Sequence, residues 1–107
     1  MQLTITALFA ASVLPCLSVA GSAPDSARAA ELMYLLRHDC GSCHGMTRKG
    51  GLGPSLLPED LRGRPVQLLV NTVLDGRAGT PMPPWRGQLS PQEAGWLVET
   101  LLTGKGL

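Results

Sequence analysis

Two stretches of this chain, Gly41 to Gly63 and Gly79 to Pro84, are so rich in glycine, proline and serine that neither forms a regular element of ordinary length. Loops of that size in a small domain normally wrap around something. All 13 glycines and eight of the nine prolines fall after residue 20, so the irregularity belongs to the part of the chain that must fold. The aromatic residues there are Tyr34, Trp85 and Trp96. A domain of roughly 90 residues buries little apolar surface. One so poor in aromatics needs a staple: disulfides, a metal, a partner or a large prosthetic group. A multidomain enzyme with a large core of its own is excluded.

The nine basic and eight acidic residues leave a net charge of +1, which offers no footprint for a nucleic-acid backbone or an anionic membrane. Residues 1–20 read as a cleaved secretory signal peptide. Its apolar stretch runs from about Ile5 to Val19, and Ser18-Val19-Ala20 or Gly21-Ser22-Ala23 is the cleavage site. The leader lacks a Lys or Arg before its apolar stretch, and an uncleaved anchor is the alternative. Cys16 is discarded with the leader, so the mature domain, 24–107, keeps Cys40 and Cys43. No apolar run of about 20 residues remains there to span a membrane.

Helical periodicity fills the gaps between the loops, and no strand pattern or internal repeat is present. Asp25 and Ser26 cap a helix through Ala30, Met33, Tyr34 and Leu36 that stops near Asp39. One short turn fits around Pro58 to Leu61. Val66, Leu69, Val70, Val73 and Leu74 line one face of a helix with Pro65 at its first position and Gly76 past its end. Ser90-Pro91-Gln92-Glu93 is a capping box opening a last helix, whose apolar face is Ala94, Leu97, Val98, Leu101 and Leu102 and which ends at Gly104. The fold class is all-α, with three or four short helices.

The chemistry centres on Cys40-Gly41-Ser42-Cys43-His44, the C-x-x-C-H pattern of covalent c-type haem attachment. Two thiols at that spacing match the two vinyl groups of a porphyrin edge, and the histidine after them supplies an imidazole to iron. Attachment of this kind takes place outside the cytoplasm, in agreement with the leader. A zinc site would need further ligands, and a thioredoxin-like pair would need a βαβ setting. A disulfide between the two cysteines is a further alternative.

Met82, on its proline-rich loop, is the candidate for the other axial position, and a flexible core filler is the other role open to it. Pro81, Pro83 and Pro84 stiffen that loop. With both positions filled the site has no room for a substrate, and the implied chemistry is one-electron transfer by a carrier that is not an enzyme. The ring of His44 should donate its second N–H to a carbonyl, with Pro54 the candidate. Trp85 is placed to pack on the haem or reach a propionate. Arg62, Arg64 and Arg86 are propionate candidates by charge, Arg48 and Lys49 are placed to orient a partner, and His38 is a rival ligand or a surface histidine.

These residues together resemble the class I cytochrome c family over nearly the whole mature chain. The resemblance rests on the attachment motif, Gly51-Leu52-Gly53-Pro54, Gly79-Thr80-Pro81-Met82-Pro83-Pro84-Trp85 and the flanking helices. It implies helices wrapped around one covalently attached haem c, the first and last crossing through Tyr34 or Ala30 against Trp96 and Leu97. More narrowly, Met33 to Asp39 and Gly45 to Leu56 resemble the small NirC-type cytochromes c of denitrifying bacteria. That implies a monomeric periplasmic carrier serving the haem-d-containing nitrite reductase or the maturation of its haem. A carrier for another terminal oxidase or reductase, or a haem-based binding or sensing module with an open iron site, are the alternatives.

Overall fold

The computed structural model describes residues 23–107; the leader read at Met1 to Ala20, Cys16 included, lies outside the described residues. The elements are α1 (Ser26–Leu35), a π-helical turn (Leu36–Cys40), α2 (Gly41–His44), α3 (Pro58–Leu61), α4 (Val66–Asp75) and α5 (Pro91–Thr103). Among the described residues there is no strand and no helix long and apolar enough to cross a membrane.

Asp25 caps α1 by accepting a hydrogen bond from the Arg28 amide at 2.8 Å. The helical run does not end near Asp39 as the sequence suggests. It widens into the π turn and continues through Gly41, whose φ of −62° and ψ of −27° are helical. The break comes four residues later at Gly45, with φ 90° and ψ 140°. Gly41 is buried, and its missing side chain leaves room for the Met46 sulfur, so this glycine serves close packing and not termination. Cys40, Cys43 and His44 therefore sit on helix.

α5 is the centre of the packing and contacts α4 most extensively, with α3 and α1 also against it. Its Ala94, Leu97, Val98 and Leu101 are buried, together with Leu32, Leu36, Leu61, Val70, Leu74 and Leu89. Leu102 is half-buried, and Val66, in the first turn of α4, is exposed. Pro65 caps α4 from just outside the helix, one residue before the position expected. The Ser90–Glu93 capping box forms in both directions, and Gly104 closes α5 in the left-handed conformation.

Tyr34 does not enter the crossing of first and last helices. It is 64% exposed and its ring centroid lies 4.2 Å from that of His38. Two residues along a helix turn about 200°, so Tyr34 points away from the face that buries Leu32. Ala29, Ala30 and Met33 instead line the α1–α5 groove with Trp96, Thr100 and Thr103. Arg28 fastens α1 to the start of α5: its guanidinium donates to Glu93, to Glu31 at 2.8 Å and to the Gln88 carbonyl at 3.0 Å.

Candidate haem-binding site

The end of a helix leaves carbonyls without partners, and the glycine-rich loop after His44 supplies them. The Gly53 amide donates to the Cys43 carbonyl and the Gly50 amide to the His44 carbonyl, each at 2.8 Å. The loop also ties to itself, with Leu56 N donating to the Arg48 carbonyl at 2.9 Å. Glycine is required where the two segments meet: a Cβ on Gly51 would lie 2.7 Å from the Cys43 carbonyl oxygen, and one on Gly53 would lie 2.7 Å from Nδ1 and Cε1 of the His44 ring. The backbone of Gly53 and Pro54 thus lies directly against the imidazole, while Gly51 lies against the Cys43 carbonyl.

His44 Nδ1 lies 2.7 Å from the Pro54 carbonyl oxygen. A carbonyl only accepts, so Nδ1 carries the proton and donates, and a neutral ring then presents the Nε2 lone pair. Half-buried, His44 holds an orientation fixed by the loop behind it. Cys40 and Cys43 are free thiols, both half-buried, three residues apart and so on neighbouring positions of a helical surface. Burial pushes the Cys40 thiol up to about 11, and the adjacent Asp39 charge adds to the rise. Among the described residues no three His, Cys, Asp or Glu side chains converge as metal ligands. Two thiols and one oriented imidazole fit a haem attached through thioethers.

The Met82 loop is pinned to the end of α4. Trp85 N donates to the Val73 carbonyl and Arg86 N to the Leu74 carbonyl, both at 3.1 Å. The Arg86 guanidinium grips both oxygens of Asp75 at 2.8 and 3.1 Å. Inside the loop, Arg77 N donates to the Met82 carbonyl at 3.2 Å, while the Thr80 hydroxyl donates to the Arg77 carbonyl at 2.7 Å and accepts from Met82 N at 3.3 Å. Met82 itself is half-buried.

The remaining candidates divide. Trp85 is half-buried and packs against the core cluster. Arg86 is committed to Asp75, whose carboxyl it holds below the usual carboxylate range. Arg62 and Arg64 are exposed, and neither joins an ion pair among the described residues. Arg48 sits at φ 64° in the loop behind His44, and Lys49 is exposed beside it. The sequence names Thr80 as a loop residue and Gly76 as a helix end, but not the Thr80 hydroxyl that ties Met82 N to the Arg77 carbonyl, nor the contact of the Met82–Pro84 backbone with Gly76. A hydroxyl two residues before a methionine and a glycine at a helix end were the available signals.

Residues 27–99 match the family described as cytochrome c oxidase, cbb3-type, subunit III. The chain is 56% identical over 91 residues to cytochrome c55X of Pseudomonas aeruginosa, an alignment spanning 85% of this chain and 76% of that relative. A solved c-type cytochrome NirC superposes with a TM-score of 0.75 at 60% identity, covering 77% of this chain and 96% of that one. Dihydro-heme d1 dehydrogenase NirN, solved in complex with DHE, matches with a TM-score of 0.60 at 40% identity over 65% of this chain but only 15% of its own length.

Proposed function

The chain belongs to the cytochrome c family, whose members bind covalently attached haem c, and from that premise we propose that it is a periplasmic one-electron carrier with His44 and Met82 as axial ligands. The bound haem supplies an iron centre that cycles between ferric and ferrous states. Cys40 and Cys43 anchor it by thioether bonds. Pro54 orients His44 through the 2.7 Å hydrogen bond, which keeps Nδ1 protonated and raises the basicity of Nε2. Met82 would supply a soft thioether, which would favour the ferrous state and raise the potential relative to two histidines. Were His44 and Met82 both to bind the iron, no site would be left open for substrate, which argues for a carrier.

The oriented His44 at the end of the C-x-x-C-H helix is the observation that carries this reading. The relatives support a partner in the haem d1 pathway. A dehydrogenase must pass its electrons to an acceptor, and this chain is similar to a small portion of one that acts on dihydro-heme d1. On that similarity we propose that the carrier serves haem-d nitrite reductase, or the maturation of that enzyme's special haem. Residues 1–20 are the leader that exports it, and residues 24–107 are the carrier domain, working as a monomer. Arg62 and Arg64 remain propionate candidates, Trp85 a haem contact, and Arg48 with Lys49 a rim that orients the partner.

The test is electron transfer by stopped flow between this protein and three partners: haem-d nitrite reductase, dihydro-heme d1 dehydrogenase and a control terminal oxidase. Rates with one of the first two should exceed the control by about tenfold or more. Equal rates with all three would remove the denitrification assignment.

A further inference from the structure

Gly76 ends α4 at φ 68° and ψ −166°, a region of backbone space essentially confined to glycine. It is also where the ligand loop touches the helix. A Cβ on Gly76 would lie 2.6 Å from the Met82 carbonyl oxygen, 2.8 Å from the Pro83 carbonyl carbon and 2.9 Å from the Pro84 nitrogen. All three are backbone atoms in a stretch whose proline φ angles are fixed, so no side-chain rotation can relieve the contact. The hydrogen bonds from Arg77, Trp85 and Arg86 close the same two segments on each other, and Asp75 grips Arg86 beside them. Residues 73–77 form a seat in which residues 82–86 lie.

A second glycine in the loop provides an internal comparison. Gly79 has φ 74°, nearly the same as Gly76, but a Cβ there would meet nothing within 4 Å. Both positions have positive φ, but a Cβ would clash with backbone only at Gly76.

We propose that Gly76 is a positioning residue for Met82: having no side chain at a conformation only glycine tolerates, it lets the Met82–Pro84 backbone close on the end of α4 and so determines where the thioether is carried. The inference rests on Met82 being the second axial ligand. The three atoms nearest a Cβ on Gly76 all belong to Met82, Pro83 and Pro84, so the clash falls on the methionine loop.

The test uses haem-loaded full protein as wild type, Gly76→Ala, Gly79→Ala and Met82→Ala. It reads the weak red-end charge-transfer band of ferric iron bound to methionine, the reduction potential, and the affinity for added imidazole, which competes with the thioether. Gly76→Ala should lose the band, move its potential towards that of Met82→Ala and bind imidazole about tenfold or more tightly than wild type, because a larger fraction of molecules has the thioether displaced. Gly79→Ala should keep the band. Gly76→Ala with its band intact and imidazole affinity within about twofold of wild type would overturn the proposal. So would equal loss in Gly79→Ala, which would assign the effect to loop strain. A wild type without the band would overturn the ligand reading and the proposal with it; a wild type with the band and an unaffected Gly76→Ala would overturn the proposal alone. Should Gly76→Ala not fold, Asp75→Asn loosens the same seat with Gly76 in place. It should raise imidazole affinity severalfold, and no change would overturn the proposal.

Discussion

Gly53→Ala isolates the contact that orients the imidazole. The φ of Gly53 is not positive, so alanine is free to adopt the backbone conformation and the effect is steric. The added Cβ would sit 2.7 Å from Nδ1 and Cε1 of His44 and 3.2 Å from Cγ. That is roughly 0.7 Å short of ordinary contact, so ring and loop must separate by about that much. Pro54, the next residue, accepts the 2.7 Å hydrogen bond from the same ring, and this separation would take it to the edge of hydrogen-bonding distance. Overpacking of this kind costs about 1–3 kcal/mol. Loss of the hydrogen bond adds about 1 kcal/mol. The reduced freedom of the unfolded chain returns about 0.4–1 kcal/mol. The net loss is about 1–3.5 kcal/mol, read as a lower guanidinium midpoint at unchanged slope for the haem-loaded protein. Gly87→Ala, where a Cβ meets nothing within 4 Å, is the control and should not destabilise. A Gly53→Ala protein as stable as wild type would refute the claim that the loop backbone fixes the ring.

Three further outcomes follow from other parts of the structure. Gly95 lies inside α5 with open space at its Cβ position, so Gly95→Ala should stabilise by about 0.5–1 kcal/mol in the same titration. Glu93 is held down to about 2, first by its hydrogen bond from Arg28 and then by the Ser90 amide. Because the folded value lies below the unfolded one of about 4.3, its contribution to stability is present above that pH and lost as pH falls towards 2. Glu93→Gln should accordingly be less stable at neutral pH and show a flatter acid limb in circular dichroism. Replacing Cys40 and Cys43 by Ala removes the staple that the small core lacks, and the variant should be protease-sensitive, where a stably folded product would contradict the role assigned to the haem.

Much of the scaffold was legible because its signals are local. The Ser90–Glu93 box, Pro91 and Gly104 mark both ends of α5 within a few residues, and α4 shows its face through one period of apolar side chains. The attachment motif and Gly53-Pro54 could be read as a site because each residue type has a chemical reason at its position. What escaped depended on distance or on backbone geometry. The Arg28–Glu93 pair joins residues 65 apart, and no local pattern announces it. The cysteines looked like the start of a loop because glycine usually breaks helices, yet Gly41 is helical and Gly45 is the break. Tyr34 looked like a core aromatic, but its position on α1 leaves it exposed, with its ring tilted against that of His38. Gly76 looked like an ordinary helix stop until the loop was seen to rest on it.

The central claim is that His44 and Met82 hold one covalent haem from its two faces. An absorption spectrum of the ferric and ferrous protein, recorded for wild type and Met82→Ala, tests it most directly. The account predicts a low-spin wild type with the methionine–iron charge-transfer band, inert to carbon monoxide, and a Met82→Ala protein that loses the band and binds carbon monoxide. A wild type that lacks the band, is high-spin when reduced and takes up carbon monoxide readily would contradict it.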